Sequence, residues 1–381
     1  TVIPLKYSIP INPLKYVKNQ GSWNSCFPSR VKILMEDFSE KKISDINVGD
    51  VVYTHKLQKK KVINKFKRKW QGRTYKIFTF GSFEEIEATP EHPFLTQRGW
   101  IECSELKTND YLAFPIIREI KDMHIYELEK DKDFLWLLGM YLAEGYLYEE
   151  GGRITFSLNI KEQEYANKIK LIIEKYGLHC YEQFSEEENR RSISFCDKYM
   201  SDILLELGSK LNYNKKLNKR LLFLEPELQF EIFKGWEAGD GLQKIEKGRH
   251  SVTTTSYELA KQMQFILFRN NLFGTITKKG EQENRRPAFC VNYVEQKKDE
   301  TYRFFIKEDK LFVRITKIEK IPQFYGETVY NLEVEDDNSY IANLRIVHNC
   351  GAHAITTALE ITHELNKTNL QIPLSERYHY Y

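Results

Sequence analysis

The sequence predicts a mixed fold, an all-β domain split in two by an inserted α+β domain with pseudo-twofold symmetry. Three observations predict it. Residues 26–118 and 313–349 carry short runs of β-branched and aromatic residues between turn signals. The stretch between them, 119–312, changes to longer apolar and amphipathic runs of helical length. Within that stretch the same order of motifs occurs twice, which points to a domain of two similar halves.

The β parts come first. "VKILMEDF", "DVVYTHKL", "RTYKIFTF" and "EEIEATPEHPFLT" read as strands, with "NVGD" (Asn47–Asp50) as a turn. After the insert, "VRITKIEKI", "TVYNLEVED" and "SYIANLRIV" read as strands again. In the insert, "DFLWLLGMYLAEGYL" and "LQFEIFKGWEAGDGL" are apolar helices that each close on an acid-Gly pair. Each is followed by a strand ("RITFSLNI"; "HSVTTTS"), an amphipathic helix with a Gly near its end, and further strands including "SISFCDKY" or "AFCVNYVE".

Composition narrows the class. The chain has 381 residues, 41% hydrophobic and 29% charged, with a net charge of +3. Any nucleic-acid surface is therefore local. No apolar run approaches the ~20 residues of a membrane span. The start, "TVIPLKYSIP", lacks the pattern of a signal peptide and reads as the middle of a longer protein. An intracellular, cytoplasmic monomer is expected. The six cysteines are Cys26, Cys103, Cys180, Cys196, Cys290 and Cys350, with no CxxC pair, so a zinc site is not expected.

Chemistry concentrates at the ends. "RIVHNC" sets His348, Asn349 and Cys350 side by side. A side-chain amide such as that of Asn349 can attack its own main-chain carbonyl, close an imide and cut the chain, with acid-base help from an adjacent imidazole. A thiol one residue later, Cys350, can capture an acyl group. Cys26 can generate that group by attacking the carbonyl of Ser25, because the thiolate is a strong nucleophile. That shift is uphill in a relaxed peptide and needs strain or stabilisation from the fold.

With these features in register, the sequence resembles an intein, a self-splicing insert whose splicing domain has the Hint fold. The resemblance covers 26–349. "ATPEHPFL" matches the family's Thr-x-x-His motif at Thr89 and His92, and "VYNLEVEDDNSYIANLRIVHNC" resembles its closing motifs. The resemblance implies splice junctions at Ser25–Cys26 and Asn349–Cys350. It implies that His92, supported by Thr89, helps break the first bond. Asn331 stands where the family often has Asp, and Asn338 where it often has His. Asn331 can hydrogen-bond but cannot act as a base at ordinary pH. Splicing is expected to need no cofactor.

The insert resembles a LAGLIDADG homing endonuclease through "LLGMYLAEG" (Leu137–Gly145) and "FKGWEAGDG" (Phe233–Gly241). Small residues (Gly139, Ala143; Gly235, Gly239) allow two helices to pack closely. That brings together two acids, Glu144 and Asp240, which repel unless a cation sits between them. The resemblance implies Mg²⁺ held by this pair and double-stranded DNA, the uninterrupted host gene, as substrate. "KKLNKR" supplies Lys215 as the match for a family lysine that assists cleavage; Asn218 stands where a Pro is usual.

Joining Ser25 to Cys350 gives "YVKNQGSWNSCGAHAITTALE". The flanks, 1–25 and 350–381, then resemble the active-site segment of papain-like cysteine proteases, which implies Gln20 as oxyanion donor and Cys350 as nucleophile after splicing. The exteins would be partners in cis. The rival readings are a free-standing homing endonuclease, a splicing scaffold with an inert DNA-binding insert, and a protease with a structural insertion.

Overall fold

The computed structural model describes residues 25–81, 84–148, 150–209, 215–242, 248–279, 287–294 and 303–349. Among them, a 13-stranded sheet forms the β domain. Its main path runs through strands 40–42, 32–34, 339–342, 345–348, 93–96, 111–115, 310–334, 59–79 and 51–53. Phe27, Ile33, Ile77, Phe94, Tyr340 and Val347 fill its core and are buried to 0% exposure.

Two of its strands are far longer than the sequence predicts. Lys59–Thr79 pairs antiparallel with Lys310–Val334, with four register shifts along the ribbon. The basic run "KKKVINKFKRKW" hid the first of these. Much of the ribbon is exposed, and Lys61, Ile63, Lys67 and Lys69 point to solvent, so its pattern carries charge where a half-buried strand carries apolar residues. The predicted strand "SYIANLRIV" is instead a hairpin, Ser339–Ala342 against Arg345–His348. Asn343 and Leu344 turn it, both with positive φ (43° and 65°), the conformation a two-residue hairpin loop requires. Likewise "EEIEATPEHPFLT" is two strands, Ile86–Ala88 and Pro93–Thr96, with the Thr-x-x-His segment as the bend between them.

The insert has two halves, and its repeat is visible in register. Helix α1 (Lys132–Glu144) leads into a four-stranded sheet with helices α2 (Gln163–Lys175) and α3 (Lys198–Gly208). Helix α4 (Pro226–Asp240) leads into a three-stranded sheet with helix α5 (Tyr257–Arg269). Gly145 pairs with Phe156, and Gly241 with Val252, at equivalent places in the two halves. The helix starts follow from their caps. Asp131, Asp197 and Ser256 accept main-chain N–H groups of the first turns, and α4 opens on Pro226.

The chain leaves the β domain after Tyr111–Pro115. It is back in the sheet by Phe304–Lys307, which pairs with the start of Lys310–Val334. The expected return at 313 therefore falls inside a continuous strand. The two parts meet around Phe38, whose ring packs on Phe223 (4.4 Å) and Phe265 (4.7 Å) of the insert. Lys219 pairs with Asp37 (2.6 Å), and Lys261 pairs with Glu40. No helix among the described residues is long and apolar enough to cross a membrane.

Candidate active sites

The first site lies where both ends of 26–349 enter the sheet. Phe27 and Pro28 pair with Tyr330 and Val329, which sets Cys26 against Val329 and Trp70, 2% exposed. Thr89 clasps Cys26 from the other side. Its hydroxyl accepts the Cys26 N–H (2.8 Å), and its own N–H donates to the Cys26 carbonyl (3.0 Å). The bend continues with the His92 N–H on the Thr89 carbonyl (3.2 Å), while the Cys103 N–H holds the His92 carbonyl (2.8 Å). Ser25 is fixed by its hydroxyl on the Glu91 carbonyl (2.9 Å).

His92 is fully buried, its ring 4.0 Å from that of Phe27. Burial, then the neighbouring His348, push its pKa down to about 3, against the Ser25 main chain. The imidazole is therefore neutral at ordinary pH. Neither of its nitrogens has a hydrogen bond of normal geometry among the described residues. A buried polar group in that state is costly, and the Ser25 main chain is the neighbour that offsets part of the cost.

His348 and Asn349 stand beside it. Val347 pairs with Phe94, two residues after His92. His348 Nδ1 lies 2.7 Å from the Asn349 carbonyl oxygen. A carbonyl only accepts, so Nδ1 carries the proton and polarises the bond that would break. Trp100 meets the His348 ring edge-on at 5.0 Å. Asn349 is 2% exposed, and its N–H donates to the Asn338 carbonyl (2.8 Å). With its amide turned so that NH₂ faces acceptors, Nδ2 donates to the same carbonyl (2.8 Å) and Oδ1 accepts from the Val334 N–H (3.2 Å). Asn331, 2% exposed, is locked by its Oδ1, which accepts from Tyr340 OH (2.7 Å) and the Leu332 N–H (2.8 Å). Tyr340 in turn flanks the rings of Phe27 and His92.

The second site lies at the C-terminal ends of α1 and α4. These helices touch through glycine. A Cβ on Gly139 would sit 2.0 Å from the Ile232 carbonyl oxygen, and one on Gly235 1.9 Å from that of Trp136. The contact brings Glu144 and Asp240 together. Burial, then the charges of Asp240 and Glu162, raise Glu144 to about 7, opposed by Lys215. Burial raises Asp240 to about 6, again opposed by Lys215. Lys215 is 2% exposed, and its Nζ donates to the carbonyls of Tyr141 (2.9 Å) and Gly145 (3.1 Å). Burial lowers it to about 8 against the pull of both acids. Among the described residues no group of three His, Cys, Asp or Glu could hold a metal. The fit rests on two carboxylates held short of charge neutrality at two helix C-termini, an arrangement that favours a cation.

The intein splicing domain family matches residues 27–349. The chain belongs to that family. It is 27% identical over 411 residues to an uncharacterized protein of Methanocaldococcus jannaschii, covering 85% of this chain and 50% of that one. The intein and its flanks span half or less of the length of the first curated relatives they match. Solved structures of lower likeness include mesophilic variants of the homing endonuclease I-DmoI (13% identical, 44% of this chain and 91% of that one, TM-score 0.34). A variant of the Ssp DnaB mini-intein is another (12% identical, 85% and 98%, TM-score 0.32).

In this intein, Ser25, Cys26, Thr89, His92, Asn331, His348 and Asn349 lie in one neighbourhood, and Glu144, Asp240 and Lys215 in another. Cys350 and Gln20, on which the transfer step and the protease reading rest, lie outside the described residues. Sequence reasoning passed over Trp100 and Tyr340, which wall the first site. It also passed over the Thr54–Lys56 segment, which grips the turn before Ser339 (Thr54 Oγ1 to Asp337 Oδ2, 2.6 Å). Nothing local in "VYTHKL" signals that role.

Proposed function

We propose that this intein excises itself through Cys26, Cys350 and Asn349, and that its insert cuts double-stranded DNA. In the first step Cys26 Sγ attacks the Ser25 carbonyl carbon. The C–N bond breaks, and the Cys26 nitrogen leaves as an amine after taking a proton. Thr89 orients that nitrogen, and the neutral His92 supplies a ring N–H toward the bond. The Cys350 thiol then displaces Cys26 from the thioester. Next, Asn349 Nδ2 attacks its own carbonyl carbon, losing a proton, while His348 polarises the oxygen. An imide forms and the bond to the Cys350 nitrogen breaks. The freed amine takes the acyl chain from sulfur, which leaves Ser25 and Cys350 joined by an amide.

The observation that carries this reading is the position of His92, buried without a normal hydrogen bond, between the Ser25 main chain and His348. In this reading one imidazole serves the first junction and neighbours His348, which serves the second. The test is mass spectrometry of freshly made protein. Cys26→Ala should abolish ligation and leave slow cleavage after Asn349. Asn349→Ala should retain the C-terminal flank, while added thiol still cleaves at Ser25. Normal ligation by either variant would overturn the assignment.

For the insert, Glu144 and Asp240 would hold a divalent cation such as Mg²⁺. Bound there, it supplies positive charge that activates water and stabilises the leaving oxygens of a phosphodiester. With two protein carboxylates, its other ligands would be water and phosphate oxygens. Lys215, at about 8, is able to exchange a proton near neutrality. Glu144→Gln or Asp240→Asn should abolish metal-dependent cutting of the uninterrupted host gene and spare splicing. Loss of splicing in a folded variant would end the modular reading.

A further inference from the structure

The carbonyl that holds Asn349 belongs to Asn338, and Asn338 sits in a tight turn that uses the left-handed backbone region. Asp336 and Asn338 both have positive φ, 59° and 49°. The residues on either side of Asn338 are gripped by one segment far away in sequence. Asp337 accepts from Thr54 Oγ1 (2.6 Å) and pairs with Lys56 Nζ (2.7 Å). Ser339, 0% exposed, accepts the His55 N–H at 3.0 Å and lies 2.7 Å from His55 Nδ1.

Ser339 pairs directly across the hairpin with His348, so their side chains share a face of the sheet. Trp100 stands edge-on to both imidazoles, 5.7 Å from His55 and 5.0 Å from His348. The charges around His55 are Asp337, Lys56 and Lys310, and burial holds its ring below the usual histidine range. In the neutral form, with the Ser339 oxygen already accepting the His55 N–H, the hydroxyl proton is free to go to Nδ1. Ser339 is then fixed at both ends.

We propose that His55 is a positioning residue for cleavage after Asn349. It locks Ser339 and, with Thr54 and Lys56, holds Asn338 where its carbonyl can anchor Asn349 for attack. This rests on the splicing reading above and adds to it; His55 makes and breaks no bond.

The test separates the two junctions. Cleavage after Asn349 is followed by mass spectrometry in the full chain carrying Cys26→Ala, which removes the thioester step. Adding His55→Ala should slow it about tenfold, the loss of one buried hydrogen bond. Adding His55→Asn instead, whose amide oxygen can take the Nδ1 place, should restore it to within about threefold. In the Asn349→Ala chain, thiol-induced cleavage at Ser25 should be unchanged by either. An unaffected rate with His55→Ala, equal losses at both junctions, or no rescue by Asn would each overturn the proposal. No cleavage in the Cys26→Ala reference itself would instead overturn the role of Asn349.

Discussion

Thr89 and Cys26 exchange two hydrogen bonds, one from the Cys26 N–H to the Thr89 hydroxyl (2.8 Å) and one from the Thr89 N–H to the Cys26 carbonyl (3.0 Å). The nitrogen that leaves in the proposed first step is thus held by a side chain, and the carbonyl on its far side by a main chain. Only the first of these can be removed by substitution. Thr89→Ala should slow thiol-induced cleavage at Ser25 by about 10–100-fold, the range of one hydrogen bond strengthened as charge develops. Thr89→Ser should keep most of the rate. A gel time course decides it, and equal rates in both variants would remove Thr89 from the mechanism.

His92 should work as a neutral imidazole. With its pKa pushed down to about 3 by burial, it should not titrate near the ordinary histidine value. The ratio of wild-type to His92→Gln cleavage at Ser25 should therefore stay flat from pH 5 to 7.5. The same shift has a stability sign. A depressed folded pKa contributes stability above the unfolded value of about 6.5, and that stability is lost as pH falls toward 3. Thermal melts of His92→Gln should accordingly lose less stability on acidification than wild type. A rate ratio that bends near pH 6.5 would contradict the neutral form.

The glycine contact between α1 and α4 leaves no room for a methyl group. Gly235→Ala would force a Cβ to within 1.9 Å of the Trp136 carbonyl oxygen, so a helix must move. We expect about 3 kcal/mol of destabilisation, at the upper end for overpacking, confined to the insert. DNA cutting should disappear while splicing persists. Calorimetry would show the loss as a lowered transition.

Glu144 and Asp240 should make the insert sensitive to pH and, through the proposed site, to divalent cations. Raised carboxyl pKa values mean that the folded state binds protons more tightly than the unfolded chain. That contribution is full below about pH 4 and is lost as pH rises through about 6 to 7. Glu144→Gln should therefore stabilise the insert at pH 8 by about 1–2 kcal/mol, after discounting for partial exposure, and by almost nothing at pH 4.5. Added Mg²⁺ should raise the wild-type melting temperature at pH 8 and leave the variant unmoved. Equal shifts in both would place the cation elsewhere.

What was legible in the sequence was whatever chemistry is local. His348 and Asn349 are adjacent, Thr89 and His92 share a bend, and each acid-Gly pair ends its own helix. The glycines could be read as a contact because Gly139 and Gly235 have the same place in a repeat. The rest depends on distant partners. Nothing near His55 announces Ser339, which reaches it only after the whole insert has been traversed. Lys215 could be matched to a family lysine by its place in "KKLNKR", yet nothing in that basic run shows that it is almost fully buried, with two carbonyls and two acids around its amine. The long ribbon escaped notice because pairing, not burial, holds it. An exposed two-stranded ladder tolerates lysine at every second position.

The Ile116 N–H donates to the Asp309 carbonyl (2.9 Å), and Pro115 pairs with Lys310 in the sheet. To the β domain, the whole insert is therefore a hairpin tip. A flexible loop of that length would carry an entropic penalty that grows with the logarithm of its length, but a body that folds with its own ends side by side closes the gap unaided. On the β-domain side of the Pro115–Lys310 pair the register is regular, with Phe114 on Leu311 and Ala113 on Phe312. Gain or loss of the insert is thus topologically neutral for the host sheet. One part can drift, decay or be replaced over generations while the other keeps its geometry, so heredity can treat as two units what the ribosome delivers as one.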